Sequence, residues 1–287
     1  MAAEVRITEY TDPGCPWAWS AEPFRRRLQW LYGDSIEWRE RMVGLSESPE
    51  HYEEKGFTTE KQASAFAKMA DKHGMPIDTS ERPRMAATLP ACLAVVAAQL
   101  NAPERARQLL RCLRVQHFSG ALLDERETID SAAAQAELDP GELARWMEQD
   151  DTERVLREEM DAARQPIAAA RALDEKLAGW SGGRRYTCPS YEIERLADGI
   201  RIAVPGFQPF PVYDVILANL VPGQERRDSE PGVVEVLQWA GTPLATREVA
   251  ELTQLSDREA REELGRVAIE RHLGSDGLWK LSPAAAA

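Results

Sequence analysis

The sequence contains few of the residues from which metal sites and disulfide scaffolds are built. Its 287 residues include four histidines and four cysteines. The histidines show no His-Glu-x-x-His or similar spacing, and the cysteines show no paired zinc-ligand spacing. Four cysteines are also too sparse to form the disulfide framework of a chain of this length. We therefore predict no metal and no resident cofactor.

Long apolar runs are also missing. No stretch of roughly eighteen apolar residues occurs, and the opening residues MAAEVRITEY lack the apolar run of a secretory signal. These absences predict a cytoplasmic protein with no membrane span, in which thiols stay reduced unless they are catalytic or regulatory. Glycine-rich phosphate loops are absent as well, so nothing in the sequence supports nucleotide binding.

Basic residues are fewer than acidic ones. The chain has 35 basic and 48 acidic residues, and its formal net charge is −13. Such a surface repels phosphate backbones and acidic membranes. The charge therefore disfavours a nucleic-acid partner.

The first third of the chain has an alternating strand and helix pattern. Residues 5–10 alternate as a strand does, and the turn Thr-Asp-Pro-Gly ends them. Helical spacing then runs to Gly33, and residues 36–43 predict a second strand. A strand, a helix and a strand within about forty residues predict a parallel βαβ unit. That unit brings the start of the first helix to the carboxyl edge of the sheet.

The rest of the chain divides into three parts. Residues 59–177 have a helical pattern with few breaks and predict an all-helical insertion. Strand patterns return at 190–193 and 200–203, and a helix is predicted at 212–220. The predicted division is a first domain at 1–221, a linker at 222–231 and a second domain at 232–287.

The second domain has the pattern of a winged helix. Helices are predicted at 233–239, 246–253 and 256–271, followed by a glycine-turned hairpin at 273–281. From residue 232 onward there are six basic and nine acidic residues. This balance opposes DNA recognition, and we interpret the domain as a protein-contact module.

Cys15 carries the strongest chemical signal. It stands between the predicted turn and Pro16, a residue suited to the first turn of a helix. Free backbone amides and the positive end of the helix dipole stabilise a thiolate in that position, and the thiolate is the form that attacks disulfides. The alternative is that Cys15 is a small buried residue. A Cys15 deep inside the fold, or distant from a helix start, would contradict the thiol hypothesis.

The other two helical cysteines give a different prediction. Cys92 and Cys112 lie in apolar helical stretches. Because cysteine packs as a small hydrophobe, we predict that both are core thiols.

Residues 11–24, TDPGCPWAWSAEPF, resemble the active-site segment of the cytosolic DsbA-like proteins, a family that includes FrnE-type oxidoreductases and protease adaptors that bind Spx. Residues 116–129 and 136–144 are similar to the helical insertion of that family. The resemblance spans about 5–220 and leaves the C-terminal domain outside. It implies an α/β thioredoxin fold with an all-helical insertion, followed here by a small winged-helix-like domain.

The chain departs from the family at the second cysteine of the motif. Family members usually carry Cys-Pro-Trp-Cys, whereas this chain has Cys15, Pro16, Trp17 and Ala18. A lone Cys15 needs an outside thiol, such as glutathione, to be released from a mixed disulfide. Ordinary disulfide generation is therefore in doubt.

The resemblance also implies a cis-proline loop opposite the active-site helix. The segment YTCPSY at 186–191 stands where that loop should be, so Pro189 is the candidate. Cys188 would then lie close to Cys15 and resolve it through a disulfide; the alternative is an apolar loop residue. The substrate groove implied by the resemblance is formed by Pro16, Trp17, Ala18, Thr187 and Pro189.

Three functions fit the sequence. The first is a DsbA-like thiol-disulfide oxidoreductase or isomerase that acts on a protein or small-molecule substrate through Cys15, with Cys188 as a second catalytic residue. The second is a non-catalytic adaptor that binds partners through the groove and the C-terminal domain. The third resembles the glutathione-dependent hydroxychromene-carboxylate isomerases.

Overall fold

A four-stranded sheet forms the centre of the computed structural model, which describes residues 3–223, 226–227 and 231–286. The strands are β1 (Val5–Thr11), β2 (Ile36–Met42), β5 (Ser190–Arg195) and β6 (Arg201–Val204), in the order β2-β1-β5-β6. β1 and β2 are parallel, while the other pairs are antiparallel. The predicted parallel βαβ unit is confirmed.

The connection between β1 and β2 contains two helices. α1 (Pro16–Ser20) and α2 (Glu22–Tyr32) meet at Ala21, where the sequence pattern predicts one continuous helix. Pro23 near the start of α2 has no amide hydrogen to continue the helical ladder, which accounts for the break. α2 packs with α11 (Phe210–Leu220) against the sheet and buries an aliphatic and aromatic core.

The helical insertion begins earlier than the sequence predicts and packs around one apolar helix. Its helices are α3 (Pro49–Glu54), α4 (Thr59–His73), α5 (Leu89–Asn101), α6 (Pro103–Phe118), α7 (Arg126–Gln135), α8 (Pro140–Met147), α9 (Asp150–Ala163) and α10 (Ala168–Arg171). α5 is buried along most of its length, in contact with α6, α8 and α9. Among the helices of the described residues, none combines the length and the apolar character of a membrane span.

A short hairpin follows the insertion, where the sequence shows a glycine break. β3 (Ala178–Trp180) and β4 (Gly183–Arg185) pair with each other and not with the central sheet. Each strand has three residues, too few for the alternation that identifies a strand in a sequence.

The C-terminal part contains the predicted helices and hairpin. Its elements are α12 (Val233–Ala240), β7 (Leu244–Ala245), α13 (Thr246–Thr253), α14 (Asp257–Val267), β8 (Ala268–Leu273), β9 (Asp276–Leu281) and α15 (Pro283–Ala286). The prediction of helix up to Arg271 is wrong, because residues 268–271 pair with β9 as part of β8. The predicted boundaries remain predictions, and residues 224, 225 and 228–230 of the predicted linker lie outside the described residues.

The C-terminal part is held to α2 and α6 by buried charge. Glu248 of α13 has no exposed surface and accepts a hydrogen bond of 2.6 Å from Arg111 of α6. Arg26 of α2 lies 3.6 Å from the same carboxylate, and Arg27 pairs with Glu251 at 2.8 Å. Water cannot screen the pairs that Glu248 makes with Arg26 and Arg111. Removing one member of these pairs would therefore leave a buried charge without compensation.

The turn of the last hairpin also contacts the insertion. Gly274 has φ +54°, and a Cβ atom built there would lie 2.0 Å from the carbonyl oxygen of Ile77. No residue with a side chain fits at this contact without moving the backbone. The hairpin therefore lies directly against the segment that follows α4.

We predict that Glu248→Gln lowers the free energy of unfolding by about 3 kcal/mol, because it leaves Arg26 and Arg111 buried beside a neutral group. Urea denaturation of the full chain measures the change. Glu263→Gln is the matched control, since it breaks an exposed pair with Arg266 and should cost less than about 0.5 kcal/mol. Equal losses for the two variants would contradict the role given to the buried pair.

Candidate thiol site

Cys15 occupies the start of α1. The chain leaves β1 at Thr11, and a tight turn follows, in which the Cys15 amide donates to the Asp12 carbonyl oxygen at 3.2 Å. Cys15 is the residue that caps α1, in an extended backbone conformation with Pro16 next to it. The predicted position at a helix start is confirmed.

Asp12 connects this turn to the rest of the molecule through hydrogen bonds, a role that sequence reasoning missed. Its carboxylate is fully buried and accepts hydrogen bonds from the amides of Gly14 and Leu45, both at 2.8 Å. The Thr88 hydroxyl donates to it at 2.9 Å, and the Cys92 thiol at 3.4 Å. Burial raises the pKa of Asp12, and these bonds oppose the rise. An Asp before Pro-Gly is typical of a turn, so its place three residues before Cys15 was the available signal.

Gly14 allows the turn to approach α5 closely. A Cβ atom at this position would lie 2.7 Å from the Thr88 methyl group. A side chain here would push Thr88 away from Asp12. The glycine next to Cys15 is therefore needed for space.

Cys188 lies against Cys15. The peptide bond between Cys188 and Pro189 is cis, the geometry that the family resemblance implies. The Cys15 thiol donates to the Cys188 carbonyl oxygen at 3.2 Å, and the two cysteines are free thiols. The fold thus brings together two candidate residues that are far apart in the sequence.

The loop that carries Cys188 is anchored by a tyrosine pair. Tyr186 is fully buried and stacks on Tyr10 of β1, with ring centroids 4.3 Å apart. Both hydroxyls donate to the Glu192 carboxylate, at 2.8 Å from Tyr186 and 2.9 Å from Tyr10. These contacts fix the approach of Cys188 to the end of β1.

The pKa values of the two thiols move in opposite directions. Burial works against the Cys15 thiolate, but hydrogen bonds from Cys188 and from the amides of Ala18 and Trp17 outweigh it and lower the pKa of Cys15. Burial, together with the neighbouring Cys15, raises the pKa of Cys188 well above its ordinary value. Of the two, Cys15 is the thiol that ionises first.

Cys15 lies at a helix start, as the thiol hypothesis requires, but its burial counts against that hypothesis, because a buried sulfur is not a freely accessible nucleophile. Its exposed fraction is 4%, and Cys188 is 8% exposed. Cys15 packs in an apolar cluster that includes Tyr10, Tyr186 and Cys188. The carbonyl contact with Cys188 suits a protonated thiol, whereas the amides of α1 suit a thiolate. A substrate therefore has to displace part of the covering loop to reach the sulfur.

The predicted groove residues differ in exposure. Trp17 is 40% exposed and meets Phe207 and His73 with ring centroids 5.5 and 5.3 Å apart. Ala18 is buried at the place of the missing second cysteine. Thr187 and Pro16 are half-buried and Pro189 is buried. The role of these residues in substrate binding stays a prediction.

Two further groups lie at the site. Cys92 is buried, as predicted, but its thiol faces Asp12, and burial and that carboxylate raise the pKa of Cys92. Burial raises the pKa of Tyr52 in α3, and the charges of Asp12, Cys15 and Cys188 raise it further. Sequence reasoning missed Tyr52, because nothing near it in the sequence connects it to Cys15.

Cys112, by contrast, is half-buried on α6, and burial raises its pKa to about 11. Among the described residues, no group of three or more potential ligands is placed to hold a metal ion.

The sequence model of a protein family described as thioredoxin matches residues 9–166, more than half of the chain. The chain belongs to this thioredoxin family. The match includes the end of β1, Cys15 and most of the helical insertion. The resemblance to DsbA-like proteins with Spx-adaptor relatives, and the thioredoxin fold that it implied, are both confirmed.

Two solved structures share the fold of this thioredoxin-family chain. One is a putative protein disulfide isomerase from Nitrosomonas europaea, 16% identical, with a TM-score of 0.58 over 75% of this chain and 97% of that one. The other is the cytosolic disulfide reductase DsbM from Pseudomonas aeruginosa with GSH, 18% identical, with a TM-score of 0.53 over 75% of this chain and 98% of that one.

A curated relative is similar over more of the chain. The ClpXP adapter protein SpxH of Halalkalibacterium halodurans is 25% identical over 277 residues, which cover 94% of this chain and 84% of that protein. An alignment of this extent reaches into the C-terminal part. The prediction that the resemblance ends near residue 220 is therefore wrong.

We predict that Cys188→Ala raises the pKa of Cys15, because it removes the thiol that bonds to the Cys15 sulfur. The rate of Cys15 alkylation, followed against pH by mass spectrometry, should then rise with a midpoint at higher pH than in the wild type. Cys188→Ser keeps a hydrogen-bond donor and is the matched control, with a smaller shift expected. A midpoint that is unchanged in Cys188→Ala would contradict a hydrogen bond from the Cys188 thiol to the Cys15 sulfur.

Proposed function

We propose that this protein is a cytoplasmic thiol-disulfide oxidoreductase of the DsbA-like type, in which Cys15 attacks the substrate and Cys188 resolves the product. The observation that carries the proposal is that the Cys15 thiol, at the start of α1, lies 3.2 Å from the carbonyl oxygen of Cys188, which brings the two cysteine residues next to each other. In this proposal the second thiol comes from the cis-proline loop and not from position 18. The fold relationship to disulfide reductases supports the proposal.

The reaction balances with two electrons. The Cys15 thiolate attacks one sulfur of a substrate disulfide, forms a mixed disulfide, and releases the other sulfur as a thiolate that takes up a proton. Cys188, deprotonated, then attacks the Cys15 sulfur and releases the second substrate thiol. The substrate is reduced and the protein holds a Cys15–Cys188 disulfide. Two molecules of a small thiol such as glutathione reduce that disulfide and become oxidised.

The pKa of Cys188 fits the second step. Part of its rise comes from the charge of the neighbouring Cys15. Once Cys15 is in a mixed disulfide it carries no charge, and this part of the rise is lost. Cys188 therefore becomes easier to deprotonate at the stage when it has to act.

We predict that Cys15→Ser reduces the rate of exchange with oxidised glutathione by at least about a hundredfold, because serine is not a nucleophile toward disulfides. Cys188→Ser should form the first mixed disulfide and then accumulate it. Intact-mass spectrometry during the reaction measures both effects.

Cys112→Ser is the control, because its half-buried thiol lies on α6 and has a raised pKa. It should react as the wild type does. Failure to find a peptide that links Cys15 and Cys188 after diamide oxidation, or undiminished exchange by Cys15→Ser, would refute the mechanism.

An adaptor function is the second candidate, and the extent of the SpxH alignment favours it. The burial of Cys15 and the presence of Ala18 at the second motif position agree with a fold retained for binding. In this case the chain delivers a partner protein to ClpXP through its C-terminal part, which we interpret as winged-helix-like. Cys15 chemistry is then dispensable.

We predict for the adaptor that Ile269→Asp on the exposed face of β8 weakens binding to purified ClpX at least about tenfold, because it places a charge in an apolar contact. Val215→Asp on α11 is the matched control, since both side chains are 59% exposed. Surface plasmon resonance with the full chain measures the affinities. Equal binding by Ile269→Asp and wild type, or loss of binding in Cys15→Ser, would count against this function.

A further inference from the structure

Three basic side chains lie together beside the cis-proline loop. Arg164 follows the last residue of α9, and Arg185 is the last residue of β4. The Tyr186 amide donates to the Ala163 carbonyl oxygen at 2.9 Å, so the two arginines flank the same backbone hydrogen bond. Burial lowers the pKa of Lys55, just beyond α3, and the nearby charges of Arg185 and Arg164 lower it further. These three residues form a basic rim in a chain whose formal net charge is −13.

Backbone carbonyl groups hold the two arginines of the basic rim. Arg164 donates to the carbonyl oxygens of Val43 and Met160 at 3.4 and 2.9 Å. Arg185 donates to the Tyr186 carbonyl oxygen at 2.7 Å. A carbonyl oxygen accepts a hydrogen bond but carries no net charge. The guanidinium groups are therefore positioned without being neutralised.

Within the described residues, no carboxylate forms an ion pair with the basic rim. The adjacent Arg184, by contrast, pairs with Asp174. Glu47, Glu54 and Asp161 are exposed and offset part of the positive charge from beyond ion-pair distance. The guanidinium and ammonium groups of the basic rim thus keep hydrogen-bond donors for an anion from outside.

The basic rim lies next to the thiol pair. Burial raises the pKa of Cys188, and the charge of Arg185 acts against that rise. Arg164 is bonded to Val43, whose amide donates to the Thr11 carbonyl oxygen at 2.8 Å. Thr11 ends β1, where the turn to the nucleophilic thiol begins. An anion bound at the basic rim is therefore beside the reacting sulfurs.

The charge and the position of the basic rim together define a substrate class. Guanidinium groups bind carboxylates through charge-assisted hydrogen bonds, which are stronger than neutral ones. We propose that the basic rim binds a carboxylate of a small disulfide substrate, so that the protein selects anionic disulfides. The low exposure of Cys15 and Cys188 favours a small molecule over a folded protein. This inference rests on the proposed thiol reaction and adds the substrate class to it.

The test compares three small disulfides of different charge: dithiodipropionate, which is anionic, hydroxyethyl disulfide, which is neutral, and cystamine, which is cationic. Intact-mass spectrometry follows their exchange with the reduced full chain at low ionic strength. Each rate is divided by the rate of the same disulfide with mercaptoethanol, which removes intrinsic reactivity. The anionic disulfide should then react at least about tenfold faster than the cationic one. At about 1 M salt this preference should shrink, because screening shortens the range of the charges.

Arg185→Gln and Arg164→Gln should each lower the ratio of the dithiodipropionate rate to the hydroxyethyl disulfide rate at least about fivefold. Arg164→Lys should retain more of the ratio than Arg164→Gln, because it keeps the charge. Arg184→Gln is the matched control, since it removes a neighbouring guanidinium that is already paired with Asp174. Its ratio should equal that of the wild type. Urea midpoints verify that each variant is folded.

Three outcomes would overturn the proposal: equal corrected rates for the anionic and cationic disulfides, a ratio that survives in Arg185→Gln, or an equal loss in Arg184→Gln. Faster exchange with an acidic peptide disulfide than with dithiodipropionate would also overturn it, in favour of a polypeptide substrate. Exchange that ignores charge refutes the basic rim alone, whereas no exchange with any of the three disulfides refutes the thiol reaction as well.

Discussion

One buried arginine contacts the residues at both ends of the segment that carries Cys15. Arg114 of α6 has no exposed surface and contacts Glu9 and Thr11 at the end of β1. It also pairs with Glu22, the first residue of α2. Burial raises the pKa of Glu22, but Arg107 and Arg114 outweigh that effect and hold it well below its ordinary range. Because a buried charge cannot lose its partner cheaply, the turn and α1 between these anchors have little freedom.

This rigidity explains how a short helix acts on a buried sulfur. α1 has five residues, yet its amides at Trp17 and Ala18 bond to Cys15 and lower the pKa of the thiol against the opposing effect of burial. The charge of Asp12 opposes them. The pKa of Cys15 therefore depends on opposing effects: the α1 amides lower it, and burial and Asp12 raise it. Because Cys188 also contributes, a small displacement of its loop would change the protonation of the Cys15 thiol.

Sequence patterns predicted the elements whose conformation is set by residues close in the sequence. β1, β2, the helix start at Cys15 and the helices of the C-terminal part follow from local periodicity and turn residues. The end of α14 was missed because Ile269, Glu270 and Arg271 continue an acceptable helix, and only their pairing with β9 makes them a strand. The roles of Asp12 and Tyr52 arise from contacts between distant segments. Cys188 was found because the family resemblance supplied a loop that periodicity cannot place.

The contact between Gly274 and Ile77 links two distant regions mechanically. Ile77 lies four residues after His73, the last residue of α4, whose ring contacts the Trp17 ring. An outward displacement of the last hairpin would therefore move the backbone around Ile77, and with it the His73 ring that packs against Trp17.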